Sequence, residues 1–489
     1  MTDETTRHYD LLIRGGTVID GTRSPRFAAD VGIRDGRIVA IGDLVGSTAD
    51  RTIDAAGKIV APGFIDSHTH DDGVVLADPE MICKISQGVT TVVTGNCGIS
   101  IAPLKSDVPR PMPLTLLAAE GPPVPPAFEQ FADYMAALRH APASVNVAPM
   151  VGHTTLRVTT MAALDRAATP DEIEVMQGLL TEALDAGAIG ISTGTYYPPA
   201  AMAPMEELIE VCRPLTGSGA VYVTHMRDEA EHCVDSLNET FEIGRALGVP
   251  VVISHHKLNR EANFGKSAIT LPLIRAAMAC QCVALDCYPY NASSTMLHTE
   301  EAKLEGRVRI ATSGSHPEQA GRDLADVAAE WGVGREEAAK RLQPASAIYF
   351  SMDEADVQNI LSFEETMIGS DGLPIGQKPH PRLWGTFPRV LGHYSRDLGL
   401  FPLETAVWKM SGLTAKNFGL AGRGTLAVGN HADVVVFDAA TVRDTATYDT
   451  PCVAAEGVEA VIVNGALTWW QGAHSGARHG RVISRIVEL

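Results

Sequence analysis

The sequence predicts an α/β fold: a (β/α)8 barrel with a small β-sandwich domain formed by both termini and an insertion after the seventh barrel strand. Three observations carry this. Apolar, strand-like runs alternate with helical patterns through the middle of the chain, the signature of βα units. Several of those runs end in residues that can hold a metal or move a proton, as they do at the C-terminal mouth of such a barrel. Both ends of the chain read instead as short strands broken by frequent turn residues.

The N-terminal strands come first. Residues 10–14, 17–21, 30–33 and 37–42 are short apolar runs separated by turns. The same texture returns at 432–437 and 460–465, so residues 1–62 and 421–489 are assigned to one β-sandwich. Residues 63–420 form the barrel. Its strands are expected to begin near Gly63, Thr90, Val145, Ala188, Val221, Val249, Val283 and Met367. A further run, Ala347 to Phe350, falls in the long stretch after Tyr290, which reads as an insertion over about 289–346. The clearest helix starts at Pro170. Thr169 can cap it, Pro170 suits its first turn and Glu172 completes a capping box. Ile173, Met176, Leu180 and Leu184 follow at helical spacing, and Gly187 ends the run. The proline-rich segment 122–126 reads as a rigid connection.

Composition narrows the function classes. The 489 residues are 45% hydrophobic and 20% charged, which suits a large globular domain plus a smaller one. A formal net charge of −20 argues against nucleic acid or an anionic membrane as partner. The N-terminal residues lack the apolar core of a secretory signal, and no run approaches the ~18–20 apolar residues of a membrane span. The eight cysteines are irregularly spaced and do not read as a disulfide framework. Cys280, Cys282 and Cys287 fit no common metal spacing and read as buried, reduced thiols. The expectation is a cytoplasmic protein, monomer or small homo-oligomer, acting on a small molecule.

Residues 63–70 carry the strongest chemical signal: an apolar run that ends in His68-x-His70. Strand alternation would put Asp66, His68 and His70 on one face, and two imidazoles there form a ligand pair for a divalent metal. The β-branched run from Thr91 ends at Cys97, between Asn96 and Gly98; beside a metal this thiol would be a thiolate ligand able to bridge two ions. The run from Val221 ends at His225. The run from Val249 ends in His255-His256-Lys257, where alternation puts Ile253, His255 and Lys257 on one face. At most one of the two histidines can then join a given site; His255 is chosen as the ligand because it brings the cation Lys257 into the same cavity, which turns His256 away. The last barrel run is followed by Asp371. A carboxylate beside a metal-activated water can accept the water's proton and return it to a leaving group. Three other features are set aside. Gly190-Ile-Ser192-Thr-Gly194 mimics a serine-hydrolase elbow, but Pro198 and Pro199 are expected to block the helix that it needs. Phe264-Gly-Lys-Ser267 mimics the end of a P-loop, but Arg260 stands where the first glycine belongs. His153 reads as a satisfied loop histidine.

Together these segments resemble the N-acyl-D-amino-acid deacylases (D-aminoacylases) of the amidohydrolase superfamily. The resemblance spans nearly the whole chain: residues 12–21, 62–71, 88–100, 224–229, 253–257, 369–372 and 424–438. The Asn96-Cys97-Gly98 segment is the most specific, since many relatives bridge their metals with a carboxylated lysine and this branch uses cysteine. The resemblance implies zinc-dependent hydrolysis of N-acyl-D-amino acids to a carboxylate and a D-amino acid. It implies one tight zinc site of Cys97, His225 and His255, a second, weaker position near His68 and His70, and Asp371 as general acid/base. It implies that Lys257, Tyr288, Ser294 and Arg382 hold the substrate's α-carboxylate, with Tyr197 among the substrate-binding residues. Within this reading Met296 and Leu297 are expected to line an apolar side-chain pocket, and Glu300 and Glu301 to repel acids, so neutral hydrophobic D-residues are favoured; the nearest fixed cation is Lys303. The alternatives are an N-acyl-D-glutamate or D-aspartate deacylase and a dihydropyrimidinase-like cyclic-amide hydrolase, against which Cys97 argues. Rivals from other classes are a metal-free serine esterase using Ser192 and a barrel kept only for binding. Zinc content and an activity test separate them.

Overall fold

The computed structural model describes residues 8–117, 128–376 and 378–485; the proline-rich segment 122–126 lies outside the described residues. Eight short strands make the centre: Phe64–Asp66, Val89–Thr94, Asn146–Pro149, Gly190–Gly194, Val221–His225, Val251–Ile253, Val283–Cys287 and Thr366–Ile368. All pair in parallel and in chain order. The third strand continues as Val151–Gly152, which pairs with the fourth. The first and last meet through Ser67 N donating to Ile368 O (3.4 Å) and a parallel bridge between Thr69 and Gly372. Every residue of these eight strands is buried, which explains why they read as apolar runs rather than alternating ones.

Alternation still sorts the side chains into two layers. Ile65, Val93, Val223, Val252, Ala284 and Met367 cluster inside the ring with Leu413 and Phe418. Phe64, Val92, Tyr222, Val251, Ile253 and Leu285 belong to the other core, shared with helix residues such as Leu180, Leu237 and Ile274. The helix Pro170–Ala186 has the expected capping box between Thr169 and Glu172, and Gly187 closes it at φ +109°. No helix follows Ser192 directly, as expected: it lies inside strand Gly190–Gly194, and Pro198 and Pro199 open the short helix Pro198–Ala201 only after a turn, since a first turn needs no amide from proline.

The terminal strands hydrogen-bond as one nine-stranded sheet. Five come from residues 8–62 and four from residues 434–474, joined where Ile59–Pro62 runs antiparallel to Val434–Phe437. The sheet is pinned to the ring by a buried polar knot. Asp433 accepts from the Arg423 guanidinium, from Asn146 Nδ2 (3.1 Å) and from Asn464 N (2.8 Å). After the seventh strand, Ser293–Met296, Arg307–Ser313 and Ala345–Phe350 form a separate antiparallel sheet covered by helices Leu324–Trp331 and Arg335–Leu342. Its last strand runs past the boundary expected at 346, because Tyr349 still pairs with Ser293. All eight cysteines are free, but Cys280, Cys282 and Cys452 are exposed rather than buried. Among the described residues no helix is long and apolar enough to cross a membrane.

Removing one member of a buried ion pair leaves an uncompensated charge and costs about 3–5 kcal/mol. Arg423→Met should therefore destabilise the protein by about 3 kcal/mol, read as a lower urea midpoint. An unchanged midpoint would show that the knot contributes nothing to holding the sheet.

Candidate active site

The chemistry-bearing residues converge at the C-terminal ends of the ring strands. Cys97 Sγ lies 3.2 Å from His68 Nε2 and 3.3 Å from His255 Nε2. Two donor groups share this sulfur: Cys97, His225 and His255 form one, and Cys97, His68, His70 and Asp371 the other. Within each, the donor atoms all lie within 4.8 Å of one another, and every residue is buried. Among the described residues, neither ring nitrogen of His225, nor Nδ1 of His68 or of His70, has a hydrogen-bond partner. Buried, unpartnered imidazole nitrogens beside a thiol are a donor set suited to zinc.

Local backbone conformation makes the convergence possible. Cys97, His255 and Asp371 all adopt positive φ, at +52°, +35° and +49°. Non-glycine residues rarely hold this conformation, and it clusters at functional sites. The consequence at His255 is a correction to the alternation argument. Ile253 faces the helix layer, so strict alternation would send His256 inward; the turn at His255 reverses the parity. His255 enters the site, and His256 Nε2 bonds Thr270 Oγ1 at 2.9 Å. Asp66 is a second correction. Its strand ends at Asp66 itself, and its carboxylate bonds Lys84 Nζ (2.8 Å) and belongs to neither donor group.

Charges in the site are mostly paired. Burial drives His68 and His255 down to about 3, so both are neutral, the form that binds metal. Burial pushes the Cys97 thiol well up, so its thiolate needs a cation beside it. Burial also opposes ionisation of Asp371, but the Arg382 guanidinium, with a hydrogen bond from His70, outweighs it and holds the carboxyl well below its usual range. Asp371 Oδ1 is 3.2 Å from His70 Nε2, and Oδ2 is 3.0 Å from Arg382 Nη1. Glu229 supports the other histidines: Oε1 is 3.1 Å from His255 Nδ1 and Oε2 is 3.5 Å from His225 Nε2.

Of the residues expected to clamp a carboxylate, three come together. Arg382 is fully buried, lies 4.6 Å over the Tyr288 ring and donates from Nη2 to Ser294 O (2.9 Å). Lys257 is tied to Glu229 Oε1 (2.6 Å) and to His255 Nδ1 (2.8 Å). Tyr197 stands edge-on to His225, with ring centres 5.0 Å apart, and its hydroxyl meets Thr295 Oγ1 at 3.0 Å. Ser192 is no nucleophile: its buried hydroxyl donates to Gly95 O and accepts from Gly98 N. His153 is not a loop residue but opens a helix, buried, 3.5 Å from Glu207.

A small cavity adjoins the metal-competent residues. Tyr196, whose ring stacks on His225 at 5.0 Å, lines it together with Arg260, His298, Lys303 and Tyr349. The apolar lining expected of Leu297 is not there. Leu297 packs in the insertion core with Val308, Ile310 and Leu324, because the strand before it turns that side chain inward. Glu300 and Glu301 are exposed and do not line the cavity. Sequence reasoning missed Glu229, Asp286 and Tyr196. Asp286, whose Oδ1 accepts from His255 N (2.7 Å), was signalled only by a carboxylate inside the apolar run Val283–Cys287.

The amidohydrolase family model matches residues 51–267 and 291–468. The chain is 60% identical over 485 residues to the D-aminoacylase of Alcaligenes xylosoxydans xylosoxydans, covering 99% of each. It is 52% identical to an N-acyl-D-aspartate deacylase of the same organism, covering 99% of this chain and 96% of the relative. The crystal structure of N-acyl-D-glutamate deacylase from Bordetella bronchiseptica, complexed with zinc and a phosphonate inhibitor, superposes with TM-score 0.94 at 46% identity, covering 98% of this chain and 100% of that one. Cys97 at the junction of two donor groups, and these full-length matches, make the chain a member of the D-aminoacylase branch of the amidohydrolase family.

Proposed function

We propose that the protein is a zinc-dependent deacylase that hydrolyses N-acyl-D-amino acids to a carboxylate and a D-amino acid. The observation that carries this reading is the Cys97 sulfur lying between two histidine groups, with Asp371 facing one of them. Cys97, His225 and His255 would hold the tighter zinc; His68 and His70 would hold a second, weaker one with Cys97. The ring of strands is read as a (β/α)8 barrel over residues 63–420, with residues 1–62 and 421–489 as the terminal β-domain.

Bound zinc would lower the pKa of a water to about 7 and polarise the amide carbonyl. The chain's own residues do the rest. Asp371, held ionised, accepts the proton of the attacking water. As the carbon–nitrogen bond breaks, Asp371 passes that proton to the leaving nitrogen. Arg382, Tyr288 and Ser294 orient the substrate through its α-carboxylate by charge-assisted hydrogen bonds. Glu229 pairs with Lys257 and stands 3.1 Å from His255 Nδ1, which keeps both beside the site.

The neighbouring cavity bears on the side chain. Its lining carries three carboxylates, Asp228, Glu229 and Glu305, against two cations, Arg260 and Lys303. Lys303 Nζ stands 5.3 Å over the Tyr196 ring and forms no ion pair among the described residues, whereas Arg260 is paired with Glu231 at 3.1 Å. Three carboxylates facing two cations offer an acidic side chain no net attraction. The reading stays with neutral D-residues over acidic ones, although Leu297 packs in the insertion core and not in this cavity.

Three outcomes test this. Cys97→Ala and His255→Ala should lose bound zinc and nearly all hydrolysis of N-acetyl-D-amino acids, while His256→Ala keeps its zinc; metal analysis that finds full zinc in the first two refutes the ligand set. Asp371→Asn should retain zinc and lose turnover by about 10² or more; near-normal turnover would make Asp371 a turn residue only. Wild type should show a higher kcat/KM on N-acetyl-D-leucine than on N-acetyl-D-aspartate, because the cavity's carboxylates oppose a second negative charge. A wild-type preference for aspartate overturns the neutral reading.

A further inference from the structure

Beneath His68, His70 and Asp371 lies a lysine that the proposed chemistry does not use. Lys84 sits on the short helix Ile82–Ile85 and is completely buried. Its Nζ donates to Asp66 Oδ2 (2.8 Å) and Ser370 Oγ (2.9 Å), and lies 3.3 Å from Asp71 Oδ2. The other oxygen of Asp66 accepts from Ser370 N (2.7 Å) and His68 N (3.3 Å). Ser370 Oγ in turn accepts from Gly372 N (3.2 Å), and Asp371 N donates to His68 O (2.8 Å).

We propose that Lys84, acting through Asp66 and Ser370, is a positioning residue that fixes Asp371 against the His68–His70 segment. The contacts fall on both residues flanking Asp371, and on the backbone of His68. Asp371 itself is held at φ +49°, a conformation uncommon for any residue with a side chain, though aspartate adopts it more readily than most. Surrounding structure has to impose it, and the amides on either side of Asp371 are the ones that the Lys84–Asp66–Ser370 network holds. A buried ammonium is costly unless paired, and here two carboxylates pair it. No contact runs from Lys84 to a metal-competent atom or to Arg382, so its influence passes through the backbone that carries Asp371.

The proposal rests on the assignment of Asp371 as the proton-transfer group, and its test reads a second quantity besides turnover. Lys84→Met and Ser370→Ala are made in the full chain. Amide hydrogen exchange is followed on the metal-free protein, and kcat and KM are measured on the zinc-loaded enzyme. Exchange should accelerate in peptides spanning 66–72 and 366–372 and stay unchanged elsewhere. The kcat of Lys84→Met should fall about 10-fold or more, as misplaced catalytic groups do, with KM within about 2-fold of wild type. Ser370→Ala should move both readouts in the same direction, less far, and it decides the matter alone if Lys84→Met does not fold. Unchanged exchange in those two segments, or wild-type kcat per folded chain, overturns the proposal. A wild type inactive on every N-acyl-D-amino acid would defeat the deacylase reading instead, and the exchange pattern would still decide whether Lys84 holds this segment.

Discussion

Every donor in the site depends on where one sulfur sits. Cys97 Sγ is within 3.3 Å of an imidazole nitrogen on either side, one from the end of the first strand and one from beyond the sixth. Those strands are not neighbours in the ring, so the thiol reaches across its mouth. It does so because Gly95 and Gly98 flank it at φ +77° and Cys97 itself is left-handed. There is no room for alternatives: a Cβ on Gly98 would come within 2.7 Å of Gly194 N, and one on Gly95 within 2.2 Å of Met150 O. The loop's path is thus set by backbone contact with the third and fourth strands. A buried thiolate with no cation is unfavourable. The same packing that places Cys97 therefore makes the site one that a soft or borderline metal would complete.

The other positive-φ residues extend this logic. His255 and Asp371 each stand just beyond a strand of three residues, Val251–Ile253 and Thr366–Ile368. Short strands release the chain early, and the left-handed turn then swings a side chain back over the ring. The strained positions are paid for by dense polar contacts to their neighbours, such as Asp286 on His255 N and His68 O on Asp371 N.

Much of this was legible in the sequence. All eight ring strands were expected within a few residues of where they lie, because strands buried on both faces read as unbroken apolar runs. The capping box at Thr169 and Glu172 was legible because its chemistry is local. What strand alternation could not give was the direction of any residue beyond a strand end. It placed Asp66 beside His68 and His70, and grouped His255 with Ile253; both failed because the strands stop first. Nor could it show that Leu297 belongs to the insertion core, since that depends on helices Leu324–Trp331 and Arg335–Leu342 far along the chain. Lys84, Glu229 and Asp286 were hidden for a related reason: a buried charge is visible only through its partners, and those lie elsewhere in sequence.

Arg382 joins binding to proton transfer under the proposed function. Its Nη1 lies 3.0 Å from Asp371 Oδ2, and it is the foremost attraction holding that carboxyl low. The same guanidinium, stacked over Tyr288, is the cation offered to the substrate's α-carboxylate. Its Nε has no hydrogen-bond partner, so a second carboxylate finds a free donor there. Once that anion binds, Arg382 serves two negative charges in a dry site, and its hold on Asp371 weakens. The proton affinity of Asp371 then rises when it has a proton to accept. A substrate lacking the α-carboxylate would lose this coupling as well as the contact, so the penalty for omitting it falls on turnover and not on binding alone.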